Sequence, residues 1–450
     1  MTAEPRTLFV TGPGGDGSTT VAAGTALAAA RAGAATLLLT TAPPAPLAAL
    51  LGTAPPVWPE TVAVPEDARG AAGGHSDAER PGAERPGRAA RLDVARVDAA
   101  AAFRAGVLEL QRRVRPALDA AGAAALDDDE LTDLPGSCAL ALLRSVPAAH
   151  AAGRWDLLVV DLPSATEALR LLALPEQLRR YLRRLLPPER LTARGLRPLL
   201  AQLTGVPLPF PDLFAATDRW DAALASAQRV IDAPGTAVRL VVDPGSDRSV
   251  TVARAARAGL ALHGLALDAV IANRMLPAGS ADPWLAGAAD RQRTALAGLV
   301  RAAGLLAPHP EPRELPHLGR APGPADLGEV PPPGPWGLGG GTSRAARARG
   351  STPMPAAHPH RVAASLDDRR TADGLLVWRL PLPGAVREEL DLVRRGDELI
   401  VTTGPFRRLL ALPAVLRRCT VTGAALEDDG TLAVRFAPDP AQWPREPAGG

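Results

Sequence analysis

The chain has 450 residues, and its 50 basic residues, all of them arginine, nearly balance 48 acidic residues. This length is enough for two or three domains, and the net charge of +2 provides no field that selects nucleic acid or a membrane surface. Cys138 and Cys419 are far apart and lack metal-ligand spacing, which argues against a disulfide framework or a zinc site. No basic, apolar leader and no uncharged run of roughly 18 apolar residues is present. We therefore expect a soluble cytoplasmic protein.

A strand, a glycine-rich turn, a helix and a second strand follow one another at the start of the chain. Residues 7–11 and 36–40 are apolar, and the glycine cluster at 12–17 leads into an alanine-rich stretch from Thr19 to Ala32. This βαβ pattern predicts a parallel sheet. Further buried strands are predicted at three apolar runs, 157–161, 238–242 and 269–273. The first domain, residues 1–305, is thus predicted to be α/β with helices on both faces of the sheet.

Two stretches of biased composition divide the rest of the chain. Residues 66–91 are rich in glycine, alanine, proline and charge, which predicts a disordered insertion within the first domain. Residues 306–370 are rich in proline, glycine and arginine, which predicts a linker. Residues 371–440 contain six short runs with alternating or β-branched residues, separated by turn signals such as Gly404-Pro405. They predict an all-β sandwich.

The glycine cluster has the position and much of the pattern of a phosphate loop. In such a loop, glycines let backbone N–H groups converge on phosphate oxygens at a helix N-terminus, lysine adds positive charge, and a serine or threonine binds magnesium. Gly12, Gly17 and Thr19 match three of the four fixed positions, but the lysine position holds Ser18. The candidate nucleotide-binding residues in this segment are Gly12, Gly14, Gly15, Gly17, Ser18, Thr19 and Thr20.

The segment Gly12–Thr20 resembles the deviant phosphate loop of the ArsA-like ATPase family, which includes arsenite-pump ATPases and tail-anchored-protein targeting factors. The family pattern, Gly-Lys-Gly-Gly-Val-Gly-Lys-Thr-Thr, aligns without a gap and places its two lysines on Pro13 and Ser18. The family aspartate that positions the attacking water falls on Ala42. The resemblance implies a P-loop NTPase-like fold and a dimer, with ATP or ADP and Mg²⁺ as cofactors.

Three further segments extend this resemblance. The second switch of the family aligns with Asp161–Leu172 and keeps its aspartate, so Asp161 and Thr19 are the implied magnesium residues. The segment Ile271–Pro277 resembles a family segment whose asparagine helps to hold adenine, which gives that role to Asn273. The residues from Leu380 to Arg408 resemble the small-heat-shock-like β-sandwich that is appended to many ArsA-like proteins.

Three charged groups of the family site are replaced, by Pro13, Ser18 and Ala42. Since removing a positioned charge from a phosphoryl-transfer site costs several powers of ten in rate, we assign no catalytic residue. We predict a pseudo-ATPase that acts as a regulatory or partner subunit, in a homodimer, in a heterodimer with an intact homologue, or with a membrane-protein or other protein client, and not with nucleic acid. One alternative is an active ATPase for anion transport or membrane-protein targeting, in which Arg170 or Arg274 replaces lysine. Another is a chaperone-like module based on the β-sandwich.

Overall fold

The structure is a computed structural model of the chain. It describes residues 4–64, 91–120, 124–132, 134, 136–185, 210–304, 312–333 and 363–443.

An eight-stranded sheet forms the centre of the first domain. Its strands are β1 (Arg6–Thr11), β2 (Ala35–Thr40), β3 (Val62–Ala63), β4 (Arg91–Arg96), β5 (Leu157–Asp161), β6 (Thr236–Val242), β7 (Leu267–Met275) and β8 (Arg313–Pro316). Their order is β3-β4-β2-β5-β1-β6-β7-β8, and every neighbouring pair is parallel except β3 with β4. The carboxyl ends of the parallel strands therefore lie along one edge of the sheet, where open α/β sheets bind ligands.

Helices cover both faces of this sheet, as the sequence predicted. They are α1 (Ser18–Arg31), α2 (Pro44–Leu51), α3 (Ala99–Ala120), α4 (Ser137–Ala151), α5 (Ala165–Leu185), α6 (Phe210–Asp232), α7 (Asp247–Leu262) and α8 (Pro283–Ala302). Within β1, Leu8 and Val10 pack in the apolar layer that contains α1, whereas Phe9 packs in the opposite layer with α4 and α5. Two buried faces explain why the strands read as continuous apolar runs. None of the described helices is long and apolar enough to cross a bilayer.

The C-terminal domain is an all-β sandwich, also as predicted. Its strands are β9 (Ser365–Arg369), β10 (Leu375–Pro381), β11 (Leu390–Arg395), β12 (Glu398–Thr403), β13 (Phe406–Ala411), β14 (Cys419–Leu426) and β15 (Thr431–Pro438). They form two antiparallel sheets, of order β14-β15-β10-β9 and β11-β12-β13. Buried Trp378 and Phe436 from the first sheet and Val401 from the second belong to the same apolar core.

The sandwich packs directly on α7. A side chain at Gly259 would place its Cβ 2.6 Å from a ring carbon of Phe406, so glycine is required for this close approach. Arg254 donates to the carbonyl of Gly384 and, at 3.0 Å, to Glu389 Oε1. The two domains are therefore joined by an interface of packed side chains and charged hydrogen bonds.

The linker prediction for residues 306–370 is wrong in two described segments. Residues 312–333 complete the first domain: they supply β8 and a 3₁₀ turn at Pro324–Glu329, and Leu327 and Val330 are buried in the α1 layer. Residues 365–369 form β9 at the edge of the sandwich. Similarly, Arg91 opens β4 and does not belong to an insertion. The remainder of the two low-complexity stretches, residues 66–90, 306–311 and 334–362, lies outside the described residues.

A buried arginine joins the late segment 312–333 to the rest of the first domain. Arg239 of β6 pairs with Asp268 of β7 at 2.6 Å, and the two side chains are 1% and 0% exposed. Its guanidinium also donates to Thr25 Oγ1 of α1 at 2.8 Å and to the carbonyls of Pro331 and Pro332 at 2.9 and 3.0 Å. One side chain thus connects two strands, a helix and the returning chain.

Replacing this arginine should be strongly destabilising. In Arg239→Met, Asp268 is left as a buried charge without its cation, so we expect the free energy of unfolding to fall by about 3–5 kcal/mol in urea denaturation. The control is Arg320→Met, which removes the ion pair between Arg320 and Asp326 in the same segment. In this pair the arginine side chain is exposed. The control should have the same free energy of unfolding as the wild type. Equal losses of this free energy in both variants would contradict a special stabilising role for buried Arg239.

Candidate functional site

The segment between β1 and α1 has the geometry of a phosphate-binding loop. Gly14, Gly15 and Gly17 have φ of 106°, 83° and 88°, a region that only glycine adopts without strain. Val21 N–H, which donates to Gly17 O at 3.0 Å, is the first amide in the helix ladder. The preceding N–H groups of α1, from Ser18 to Thr20, are therefore free to bind an acceptor at the helix N-terminus.

The loop is held against the ends of the neighbouring strands. A Cβ on Gly12 would lie 2.7 Å from the Val241 carbonyl of β6, so this position also needs glycine. Thr11 Oγ1 donates to Pro163 O at 2.6 Å, and Gly12 O accepts from Ala165 N at 2.7 Å. The loop is thus attached to the segment that follows β5.

Asp161 lies at the centre of a small polar cluster. Its Oδ2 accepts hydrogen bonds from Thr19 Oγ1 at 2.9 Å and from Thr40 Oγ1 at 2.8 Å, because β5 lies between β1 and β2. Its Oδ1 is buried and has no hydrogen-bond partner. Asp161 is 3% exposed, and this burial raises its pKa to about 6, although the two threonine hydroxyls oppose the shift.

Thr19 and Asp161, the two residues implied for magnesium, therefore lie together, and their chemistry fits the ion. A hydroxyl and a buried carboxylate oxygen without a partner are oxygen ligands of the kind that Mg²⁺ prefers. No group of three or more His, Cys, Asp or Glu residues suited to a metal occurs in the described part of the chain. A magnesium ion at this place would take its other ligands from phosphate oxygens and water.

Asn273 and Arg274, which follow one another near the end of β7, contact the loop from its outer face. Asn273 Nδ2 donates to Asp16 O at 2.7 Å, and Arg274 Nη2 donates to Gly15 O at 2.8 Å. In a trans peptide the C=O points away from the N–H of the next residue. Both side chains therefore lie opposite the amides of Asp16 and Gly17, which face the phosphate position in a loop of this kind.

This geometry affects two of the sequence predictions. Asn273 supports the loop, since a Cβ on Gly17 would lie 2.5 Å from its Nδ2, and its contact with adenine stays a prediction. Arg274 does not lie where the missing lysine would be: its guanidinium contacts Gly15 O and, at 3.3 Å, Asp243 Oδ2. The other arginine considered, Arg170, is exposed on α5.

Arg274 is held in this place by its backbone. Among the described residues it is the one non-glycine residue with a positive φ, 59°. Buried Gln292 of α8 donates to Arg274 O at 3.0 Å and accepts from Leu276 N at 2.8 Å. The unusual conformation of Arg274 is thus fixed by a side chain that sequence reasoning did not identify.

The loop also contains a buried acidic residue that the sequence analysis missed. Asp16 is 5% exposed, and burial, together with the nearby charge of Asp243, raises its pKa. The Ser249 hydroxyl and the Gly14 N–H act in the opposite direction. The available signal was an aspartate where the family pattern has valine. As a result, three carboxylates, those of Asp16, Asp161 and Asp243, lie close to the loop.

The three positions that carry charge in the family pattern provide none here. Pro13 is buried, and Ser18 is half-buried at the first position of α1. Ala42 follows β2, and its N–H donates to Thr40 Oγ1 at 3.0 Å. The site can thus offer backbone N–H groups, a hydroxyl and carboxylates to a ligand, but no cationic side chain at these positions.

The raised pKa of Asp161 should appear in the stability of the protein. The carboxyl titrates at about 6 in the fold and near 3.8 when unfolded, so its protonated form favours folding and its charged form opposes it. Relative to Asp161→Asn, the wild-type free energy of unfolding should fall by up to about 3 kcal/mol as the pH rises from about 4 to about 7. Urea denaturation without nucleotide or Mg²⁺ measures this difference. Asp282→Asn, at the exposed start of α8, is the control and should keep the pH dependence of the wild type. If the free energies of unfolding of the wild type and Asp161→Asn change in parallel with pH, the raised pKa of Asp161 is contradicted.

Comparison with known proteins agrees with the division of the fold into an α/β domain and a β-sandwich. Residues 5–62 and 86–298 match the family model of the anion-transporting ATPases, and residues 373–436 match that of an HSP20-like domain found in ArsA. The chain is 49% identical over 442 residues to an uncharacterized protein of Streptomyces coelicolor, covering 98% of this chain and 99% of the relative. It is 33% identical over 336 residues to a Mycobacterium tuberculosis protein, covering 70% and 71%. It is 26% identical over 315 residues to a putative arsenical pump-driving ATPase of Aquifex aeolicus, covering 68% and 73%. The chain therefore belongs to the anion-transporting ATPase family and carries the HSP20-like domain found in ArsA.

Proposed function

We propose that this chain is a pseudo-ATPase: a family member that keeps the nucleotide-binding fold but does not hydrolyse ATP by itself. The observation that carries the proposal is the phosphate loop, in which an intact backbone cradle is combined with Ser18 in place of lysine. The position of Arg274 supports the proposal. Its guanidinium donates to Gly15 O on the outer face of the loop, so it does not supply the missing charge on the face where phosphate would bind.

The energetics favour weak binding and negligible turnover. A hydrogen bond to a charged group contributes about 1.5–3 kcal/mol, so loss of the loop lysine weakens nucleotide binding by roughly ten- to a hundredfold. Loss of a positioned cation costs about 10³–10⁵ in phosphoryl-transfer rate. The carboxylates of Asp16, Asp161 and Asp243 repel a free phosphate chain. Nucleotide should therefore bind as its Mg²⁺ complex, with Thr19 and Asp161 nearest to the ion.

The role that fits such a chain is that of a regulatory or partner subunit. A fold that keeps the backbone N–H groups of the phosphate loop can present the surface of a nucleotide-bound subunit without hydrolysing ATP. We propose that it pairs with a second copy or with a homologue that has intact lysines, and that the assembly handles a membrane-protein or other protein client. The buried packing of the HSP20-like domain on α7 supports a role for that domain within the assembly.

Restoring the lysine should strengthen nucleotide binding. We expect Ser18→Lys to bind ATP with Mg²⁺ about tenfold or more tightly than the wild type in calorimetry, because the new ammonium group can reach the phosphates. Ser18→Met, which has a side chain of similar shape without charge, is the matched control and should not gain affinity. If Ser18→Lys gains nothing, the loop does not bind phosphate in the expected way.

The second candidate is an active ATPase, and the geometry of Thr19 and Asp161 favours it. Their hydrogen bond and the open Oδ1 of Asp161 form the kind of magnesium position that hydrolysis needs. We expect the purified wild-type chain to release no phosphate above the background set by Thr19→Ala. Turnover by the wild type that Thr19→Ala abolishes would reject the pseudo-ATPase proposal and favour an ATPase that drives anion transport or membrane-protein targeting.

A further inference from the structure

Two consecutive side chains near the end of β7 both reach the phosphate loop. Asn273 and Arg274 donate to loop carbonyls at 2.7 and 2.8 Å. In a regular strand, successive side chains point to opposite faces, so one of the two would point away. Here the register of β7 with β8 shifts between Ala272 and Met275, and Arg274 has a φ of 59°. Such an irregularity redirects side chains, and it explains how both reach the loop.

Buried Gln292 of α8 holds this irregular segment in place. Its side-chain amide donates to Arg274 O at 3.0 Å and accepts from Leu276 N at 2.8 Å, and the residue is 6% exposed. A positive φ is unfavourable for an arginine and persists only where the surroundings fix it. Two hydrogen bonds with one buried side chain supply that constraint. Gln292 thus determines where the guanidinium of Arg274 lies.

The contact of Arg274 with the loop acts on the phosphate face through a single peptide group. Its guanidinium donates to Gly15 O at 2.8 Å, and the N–H of the same peptide belongs to Asp16 and points the opposite way. A hydrogen bond to a carbonyl polarises the peptide, so its N–H becomes a stronger donor. That N–H is one of the amides expected to face a bound phosphate. The positive charge of Arg274 is therefore felt by a phosphate from behind the loop.

The same guanidinium offsets two carboxylates next to the loop. Arg274 Nη1 lies 3.3 Å from Asp243 Oδ2, and Asp16 is buried in the loop itself. Burial raises the pKa of Asp16, the charge of Asp243 raises it further, and the charge of Arg274 opposes the rise. All three charges therefore interact. Removing Arg274 would leave both carboxylates to repel a phosphate chain without this counter-charge.

We propose that Arg274 strengthens phosphate binding from behind the loop, through the Gly15–Asp16 peptide, and that Gln292 is the residue that positions it. The ligand is the phosphate chain of a nucleotide in its Mg²⁺ complex. Arg274 thereby compensates in part for the lysine that Ser18 replaces, without touching the ligand. This inference rests on the proposed nucleotide binding by the loop, but not on whether ATP is hydrolysed.

Calorimetry of the full-length protein with ADP and Mg²⁺ tests the charge, because ADP gives an affinity whether or not the chain hydrolyses ATP. We expect Arg274→Met to bind about tenfold more weakly than the wild type, whereas Arg274→Lys, which keeps the charge, should lose less. The arginine side chain is 45% exposed, so the loss in Arg274→Met should shrink as salt rises from about 0.05 M to about 0.5 M. Arg301→Met, an exposed arginine at the other end of α8, is the control and should bind like the wild type. A loss that is equal in Arg274→Met and Arg274→Lys, or that does not change with salt, would overturn the proposal.

A double-mutant cycle tests the positioning role of Gln292. Gln292→Met should weaken binding of ADP with Mg²⁺ about tenfold, and it should have little further effect in the Arg274→Met background. Gln292→Glu, which can still accept from Leu276 N but cannot donate to Arg274 O, replaces it in the cycle if Gln292→Met does not fold. Losses that add would overturn the positioning role, since Gln292 would then act independently of Arg274.

The wild type separates failure of this inference from failure of the proposed function. If the wild type binds ADP with Mg²⁺ and Arg274→Met binds it equally well, Arg274 has no role in binding and the proposed function stands. If the wild type does not bind at millimolar nucleotide, the proposed nucleotide binding fails together with this inference.

Discussion

The polar contacts of the candidate site depend on one constraint, the parallel order of the central strands. Because β5 lies between β1 and β2, the carboxylate that ends β5 meets a hydroxyl from the helix after β1 and another from the end of β2. Because β7 lies beyond β6 on the other side of β1, Asn273 and Arg274 reach the outer face of the loop. A change of strand order would separate all of these groups, whatever their identity.

Charge balance distinguishes three of the buried ionic groups in the described part of the chain, those of Arg239, Asp161 and Arg257. Around Arg239, cation and anion are matched and every donor of the pair is used within the fold. Asp161 accepts hydrogen bonds from two threonine hydroxyls, and the guanidinium of Arg257 has no hydrogen-bond partner. The first centre is a source of rigidity. The other two are places where the isolated chain is not at its electrostatic optimum, and such places are where ligands or movements have most to contribute.

Much of the fold could be predicted from the sequence, because strong local patterns agree with it. Apolar runs identified β1, β2, β5, β6 and β7, and turn residues identified six strands of the sandwich. Strands β3, β4, β8 and β9 were missed: β3 has two residues, β4 follows a stretch of biased composition, and β8 and β9 lie in another. In the site, contiguous glycines and Asp161 could be found by pattern. The contacts of Asp16, Gln292 and Arg274 could not, because they depend on distances between segments that are far apart in sequence.

The proline pair at 331–332, of which Pro331 is half-buried and Pro332 exposed, shows that proline-rich sequence can be well suited to cover a buried cation. Burying ordinary backbone requires a partner for both the N–H and the C=O of each residue. Proline has no N–H, so Pro331 and Pro332 can direct their carbonyls at Arg239 without leaving a donor unsatisfied beside it. Such a segment is an acceptor-only strap, able to solvate a buried cation where water is excluded. A composition typical of linkers can thus be a requirement of the core.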